Sequence, residues 1–295
     1  MTKHVTRIAP SPTGLFHLGS ARTALFNWLA AKATGGQFIL RIDDTDTKRN
    51  SPEAVQVIYD AMSWLGLDYD VSFRQSDRLN IYKDLADKLV NADLAFRDDD
   101  GAIRLRLPTI SGPWVWEDTI ITKCIITDTD KTNMDGLCII RSDGTPTYQF
   151  ASVVDDMEYE VTWVIRGTDH ISNTPKQLAI VWALEKIGMA PWKPLWTHIG
   201  MITQDKKKLS KRDGAASVLN YRDQGIDPDA LCNWMLRMGW GPHVDDRSTK
   251  MITKERAVEM FLTHGKMRSA PSNMDVAMLR FLDTKYKGTK ERMKK

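Results

Sequence analysis

The sequence predicts an α/β fold built around a parallel sheet, and three observations carry that reading. Short apolar runs of strand length, Val5–Ile8, Phe38–Ile42 and Val161–Ile165, alternate with stretches whose apolar residues recur at helical spacing. Whole helices stand between successive strands, so the strands need crossover connections, which favour parallel pairing. The first strand breaks into a Pro/Gly loop and the second ends in an acidic loop. Ligands commonly sit at such strand ends in open α/β sheets.

Taken in order, Val5–Ile8 is short and β-capable, and Ser11-Pro12-Thr13-Gly14 breaks it. Leu18, Ala21, Leu25, Trp28 and Leu29 fall on one helical face, and Gly35-Gly36 ends that helix. Phe38–Ile42 reads as the next buried strand. Another helix is expected over roughly Pro52–Leu65, with Val55, Ile58, Met62 and Leu65 on one face. From about Arg74 to Thr147 the texture changes. A helix near Leu79–Leu89 leads into alternating segments, Ile103–Leu107 and Thr119–Thr127, with turns at Asp98–Gly101 and Asp128–Gly136. This reads as an insertion of mostly β character. The α/β pattern resumes with Val161–Ile165 and a long helix from about Thr174 to Ile187, and the chain after Lys211 reads as mainly helical.

A length of 295 residues allows two domains, or one with a large insertion. The hydrophobic share of 42% and charged share of 27% are those of an ordinary soluble protein. A net charge of +3, from 41 basic and 38 acidic residues, does not by itself identify a nucleic-acid partner. The tail Lys285–Lys295 carries six basic residues and one acidic one, and reads either as a solvated terminus or as an RNA-backbone contact. Cys124, Cys138 and Cys232 are widely spaced and odd in number, which suits reduced thiols, and no C-x-x-C pair suggests zinc. The absence of an apolar leader and of 18 consecutive apolar residues argues against secretion and membrane spanning, so a cytoplasmic protein is expected.

Two segments carry most of the chemistry. In Thr6-Arg7-Ile8-Ala9-Pro10-Ser11-Pro12-Thr13-Gly14-Leu15-Phe16-His17-Leu18-Gly19-Ser20, a strand passes through a loop into a helix opening on His-x-Gly. A helix N-terminus offers unpaired N–H groups and a positive dipole end, which attract phosphate. Gly14 and Gly19 let a ligand approach the backbone, and His17 is placed to bond phosphate oxygens. Lys206–Gly214, containing Lys208-Leu209-Ser210-Lys211-Arg212, read alone is a basic solvated loop. Arg41-Ile42-Asp43-Asp44-Thr45-Asp46 sets three carboxylates within four residues, which admits a metal site as one alternative. Asp128 and Asp130 do not extend to a calcium loop, because Asn133 stands where the glycine belongs.

Together the two segments resemble the signature motifs of class I aminoacyl-tRNA synthetases. Arg7–Gly14, Asp143–Tyr148, Val153–Asp156, Val164–His170 and Asn173–Pro175 are similar to the glutamyl branch. The resemblance implies a Rossmann-type parallel-sheet catalytic domain from residues 1–75 and 148–203. It implies a shortened α+β acceptor-binding insertion at 76–147 and a mainly helical stem-contact domain at 204–295 that carries the lysine loop. Phe281–Tyr286 resembles a segment of that last region. The sequence stops before the anticodon-binding domain of full-length glutamyl synthetases, and the zinc cysteines of some members are missing.

What the resemblance implies for function is ATP-dependent activation of L-glutamate to glutamyl-adenylate, then transfer to the 3′ end of tRNA. His17, Gly19, Lys208 and Lys211 would be catalytic, and Ala9, His17, Gly19, Lys208, Ser210 and Lys211 would bind ATP. Arg7, Ser11, Asp43, Tyr148 and Arg166 would form the glutamate pocket. Arg166 would pair with the γ-carboxylate, as a planar guanidinium suits a carboxylate, and Asp43 would take the α-ammonium group. Mg²⁺ would enter with ATP, no resident metal or zinc is expected, and no membrane partner. The protein would act as a monomer on the acceptor and D-arm side of tRNA. Three positions depart from the family: Asp43 and Thr168 stand where Glu is usual, and Ser152 where Asn is frequent. Alternatives are a glutamyl-queuosine tRNA(Asp) synthetase-like enzyme, a tRNA-independent glutamate-activating ligase, an inactive tRNA-binding relative, or part of a longer enzyme.

Overall fold

The computed structural model describes residues 2–46, 49–107, 114–127, 134–204, 207–208, 217–242, 251–263 and 265–293. The chain opens β1 (Val5–Ile8), α1 (Leu18–Thr34), β2 (Gln37–Ile42), α2 (Pro52–Leu65), β3 (Val71–Arg74), with the three strands parallel and in that order. Gly35 ends α1 in the left-handed region at φ 62°, and Gln37 N–H then bonds the His4 carbonyl at 3.0 Å. Ser51 caps α2, its Oγ accepting from Ala54 N–H at 3.1 Å, with Pro52 in the first turn.

Next come α3 (Leu79–Asn91), β4 (Ala95–Arg97), β5 (Ile103–Leu105), the hairpin β6 (Trp114–Asp118) and β7 (Thr122–Ile126), and β8 (Cys138–Ile140). β4, β5 and β8 form a small antiparallel sheet. After α4 (Tyr148–Glu158) the parallel pattern returns with β9 (Trp163–Gly167), α5 (Thr174–Lys186) and β10 (Leu195–Ile199). The β6–β7 hairpin does not stay with the small sheet: β6 lies parallel to β10, giving the order β7-β6-β10-β9. The expected strand Thr119–Thr127 is therefore part turn. Asp118 accepts from the amides of Ile120 and Ile121 at 2.8 and 2.9 Å, which closes the chain at 119–121 before β7 begins.

β1 and β9 meet where the two parallel sets adjoin. Thr162 N–H donates to Val5 O at 2.9 Å, and Asn27 Nδ2 of α1 donates to Ile165 O at 3.0 Å. Strand order runs outward from this seam in both directions, which opens a crevice at the strands' C-terminal ends.

Alternation along the strands feeds two cores, one on each face. Phe38, Leu40 and Ile42 of β2, Trp163 and Ile165 of β9 and Ile199 of β10 join α1, α2 and the C-terminal helices. Ile39, Val164 and Trp196 face the other way, toward α3, α4 and α5. Both faces are thus covered, as a parallel sheet requires.

The remainder comprises β11 (Ile202–Gln204), β12 (Lys207–Lys208), α6 (Val218–Asp223), α7 (Pro228–Arg237), β13 (Trp240–Pro242), α8 (Lys254–Met260), β14 (Gly265–Met267), β15 (Ser272–Asn273) and α9 (Val276–Met293). Tyr286 of α9 donates to Ile252 O at 3.0 Å, and Trp234 Nε1 of α7 donates to Asp275 O at 2.7 Å. The basic C-terminal stretch is thus helical through Met293, anchored by buried Leu279, Leu282 and Tyr286. α1 lies between the sheet and these helices. Twelve of its residues are consequently buried, from Leu18 round to Thr34, rather than the single face expected from its sequence.

Candidate active site

A cleft of about 730 Å³ opens at the seam. Its walls include Arg7, Ala9, Ser11, His17, Gly19, Tyr148 and Arg166, so most of the expected pocket converges there. Gly14 holds φ 124°, a conformation that side chains resist, and the loop it turns delivers His17 to the N-cap of α1 with extended backbone. A Cβ added at Gly19 would meet no atom within 4 Å, so the first turn of α1 stands open beside the cleft.

The described residues on either side of the lysine loop are held near the cleft, and those after it lie against this helix start. β11 begins at the cleft-lining Ile202, directly after Met201, and pairs with β12, Thr203 opposite Lys208. On the return, Ser217 bridges His17, and Val218 N–H donates to Phe16 O at 3.0 Å. The chain on the return from the second signature segment is therefore adjacent to the first. The backbone of Lys208 ends β12; Ser210 and Lys211 lie outside the described residues.

Three strand-borne arginines point to the face covered by α4 and α5, and their partners differ. Arg41 is doubly paired: its Nε and Nη2 donate to Asp43 at 2.7 and 3.3 Å, and its Nη1 to Asp156 at 2.6 Å. Arg7 Nε donates to both oxygens of Asp156 at 3.1 Å. Arg166, by contrast, meets neutral acceptors. Its Nε donates to His198 Nε2 at 3.0 Å, Nη1 to Gln177 Oε1 at 2.7 Å, and Nη2 to Thr174 Oγ1 at 2.7 Å. Its guanidinium carbon lies 4.9 Å from the centre of the Trp196 ring. Among the described residues no ion pair is made by Arg166, although it is 5% exposed. Burial pulls its pKa down to about 10, opposed by Tyr148, so it stays charged at neutral pH.

Asp43 is not part of the cleft wall, because Arg41 turns its carboxylate toward α4. Burial pushes the Asp43 carboxyl up to about 6 against the attraction of Arg41. The acidic run does not form a cation cage: Asp44 accepts from Ser76 N–H and Oγ, both at 2.8 Å, and Asp46 from Arg49 at 2.6 Å. Among the described residues no group of three or more His, Cys, Asp or Glu is placed to hold a metal ion.

Tyr148 opens α4, and its hydroxyl lies 3.2 Å from His170 Nδ1, which Asn173 Nδ2 also approaches at 3.1 Å. Gln149 Nε2 donates to Asn173 Oδ1 at 2.8 Å, so the Asn173 amide presents its N–H to the imidazole. Burial, then the charge of Arg166, lowers the His170 pKa to about 4, and the ring is neutral. Ser152 accepts from Gln177 Nε2 at 2.8 Å, so it reaches Arg166 through Gln177. Thr168 begins the turn Thr168–Asn173 after β9.

Sequence reading missed Asp118, Thr174, Gln177 and His198. Asp118 lies in the inserted segment, Thr174 in the family-like Asn173–Pro175 segment but with no role given to it, Gln177 in a stretch read only as helix, and His198 in one not read at all. Asn173-Thr174-Pro175 was the one nearby signal.

Residues 3–106 and 100–280 match the family model described as tRNA synthetases class I (E and Q), catalytic domain. A glutamate–tRNA ligase of Alkalilimnicola ehrlichii is 41% identical over 300 residues, 88% of this chain and 61% of that protein. One from Nitrosomonas europaea is 40% identical over 319 residues, 95% of this chain and 66% of that protein. The chain thus spans a little under two thirds of the length of these relatives. The crystal structure of a glutamate tRNA ligase from Elizabethkingia meningosepticum, in complex with its amino acid, superposes with TM-score 0.83 at 26% identity, covering 97% of this chain and 70% of that one. With the strand-end cleft, the His-x-Gly helix start and the lysine-loop anchors all in place, the chain belongs to the class I tRNA synthetases of the E and Q group, through their catalytic domain.

Proposed function

We propose that this chain activates L-glutamate with ATP and transfers it to tRNA. The observation that carries the reading is Arg166, a buried guanidinium lining the cleft whose hydrogen bonds among the described residues go to neutral partners. A buried cation without a counter-charge is costly, and a ligand carboxylate supplies one. The γ-carboxylate of glutamate fits that need, while glutamine leaves the guanidinium unneutralised. Arg7, Ser11 and Tyr148 complete the amino-acid pocket, and Asp43, paired with Arg41 behind the cleft wall, acts on the α-ammonium group from there.

ATP lies along the first turn of α1, its phosphates meeting the N–H groups beside His17 and Gly19, with Ala9 under the nucleoside. Mg²⁺ accompanies the triphosphate as part of that substrate. An α-carboxylate oxygen of glutamate attacks the α-phosphorus of ATP, and the bond to pyrophosphate breaks. The ammonium groups of Lys208 and Lys211, with Ser210 shaping the loop, neutralise the charge that builds on the phosphates. The terminal adenosine hydroxyl of tRNA then attacks the glutamyl carbonyl and AMP departs. Positioning and charge stabilisation suffice, so no general base is assigned.

The tRNA is read from its acceptor and D-arm side by residues 76–147 and 204–295, acting as insertion and stem-contact regions around a catalytic domain of 1–75 and 148–203, in a cytoplasmic monomer. The test is glutamate-dependent ATP–pyrophosphate exchange with and without total tRNA. Exchange that appears only with tRNA is expected. Exchange at full rate without tRNA would replace this reading by a glutamate ligase acting on a modified base or a small acceptor.

A further inference from the structure

A chain of three buried groups runs from the β6–β7 hairpin to the cleft. Asp118 Oδ2 accepts from the backbone N–H of His198 at 2.9 Å and lies 2.7 Å from its ring Nδ1. On the far side of the ring, Nε2 stands 3.0 Å from Arg166 Nε. Arginine has no acceptor, so Nε2 must present its lone pair and the proton must sit on Nδ1, where Asp118 accepts it. Both bonds are satisfied only by the neutral imidazole in this one tautomer.

The ring has no freedom to choose otherwise. It stacks on Trp196 with planes 4° apart, and Trp116 meets it edge-on with ring centres 5.6 Å apart. Asp118 is fixed in turn by the amides of Ile120 and Ile121. Strand register sets His198 directly beside Arg166 on the neighbouring strand.

The contrast with Arg7 and Arg41 gives the arrangement its meaning. Those two touch carboxylates directly and are neutralised by them. Had Asp118 met Arg166 directly, it would occupy the guanidinium and repel an incoming carboxylate. An imidazole placed between them orients the guanidinium plane through Nε and keeps the formal negative charge one ring away. Three of the five N–H groups are then spent on neutral acceptors, which leaves the cation available to a ligand.

We propose that His198 and Asp118 are positioning residues that set the plane and the unneutralised charge of Arg166, and so govern the choice of glutamate over glutamine. This rests on the reading of Arg166 as partner of the γ-carboxylate.

The test compares His198→Phe, His198→Gln and Arg166→Gln with the unsubstituted protein. Glutamate binding is followed by calorimetry, and KM and kcat for glutamate, glutamine and ATP by pyrophosphate exchange with tRNA. Melting temperatures establish that each variant is folded. His198→Phe removes the acceptor for Arg166, and a rise in glutamate KM of about tenfold is expected from losing one charge-assisted bond. The KM for ATP should stay within about twofold, and the glutamate-to-glutamine preference should fall. His198→Gln can still accept and donate, and it should restore glutamate KM to within about threefold of the unsubstituted protein. Should the Phe variant not fold, Asp118→Asn, whose one amide oxygen cannot serve both the His198 side and the Ile120 and Ile121 amides, carries the same expectation. A folded His198→Phe with unchanged glutamate KM and preference, beside an Arg166→Gln that no longer binds glutamate, would overturn the positioning role and leave the Arg166 reading intact. Equal losses in the Phe and Gln variants would also overturn it. Unchanged glutamate binding in Arg166→Gln, or no glutamate binding by the unsubstituted protein, would overturn the underlying reading and this proposal with it.

Discussion

Arg7, Arg41 and Arg166 each stand near the C-terminal end of a parallel strand and point to the same face. What separates them is their company. Arg7 and Arg41 share Asp156, while Arg166 meets a histidine, a glutamine and a threonine. The sequence marked Arg7 and Arg166 as candidates alike, but neither Gln177 nor His198 carries a local signature, so the difference was not legible in the sequence. The same scale yields a pH prediction. Burial raises the Asp43 pKa to about 6, so the folded protein takes up a proton there that the unfolded chain takes up only near 3.8. Between those values protonation relieves the burial of charge and favours the fold. In the proposed reading it also removes the negative charge that attracts the α-ammonium group. Glutamate kcat/KM is therefore expected to fall as pH drops through about 6, measured by exchange at saturating ATP. Asp43→Asn should already be slow at pH 7.5 and lack that limb; a limb that persists in this variant would assign the titration to another group.

At the scale of elements, α1 is the structural centre, and Arg22 ties it to its surroundings. Arg22 Nη1 donates to Met238 O at 2.8 Å and Nη2 to Gly200 O, joining α1 to the end of α7 and to the turn after β10. Burial lowers its pKa to about 10, which leaves it a cation. Arg22→Ala strands two buried carbonyls and should destabilise the protein by about 3 kcal/mol, a drop of roughly 5 °C in melting temperature. A melt within 2 °C of the unsubstituted protein would mean the carbonyls find other donors. Helix α4 illustrates what element-level reading misses. Phe150 through Met157 are all buried, Asp155 and Asp156 included, because Tyr82, Gln75 and Arg78 bond Asp155 while Arg7 and Arg41 bond Asp156. A helix enclosed on every side has no polar stripe, so the usual periodic signal is lost. The first helices, by contrast, were bracketed by Gly35 and by Ser51-Pro52, whose capping chemistry is local.

For the whole molecule, charge distribution matters more than the net +3. Helix α9 leaves Arg280, Lys285 and Arg292 exposed, while Lys287 and Lys290 are tied to Asp283 and to Asp227 and Asp229. If these cations meet tRNA phosphates, log affinity should fall linearly with log salt, by about 0.9 for each phosphate contacted on duplex. Filter binding between roughly 50 and 200 mM salt measures the slope, and Lys285→Ala with Arg292→Ala should flatten it by about two. An unchanged slope would remove α9 from the RNA interface.

The sequence by itself determined the α/β class, the strand–helix–strand–helix order of β1 to α2 and the loop and helix start that line the cleft. Those follow from short-range rules: period-2 and period-3.6 patterning, glycine and proline punctuation, and motifs that are contiguous in the chain. Only the tertiary structure decided that the β6–β7 hairpin joins β10, that α1 and α4 are buried all round, and that Asp118 reaches Arg166 through His198. Each of these depends on partners 32 to 80 positions away in sequence or on packing from several sides. Local pattern carries no record of either.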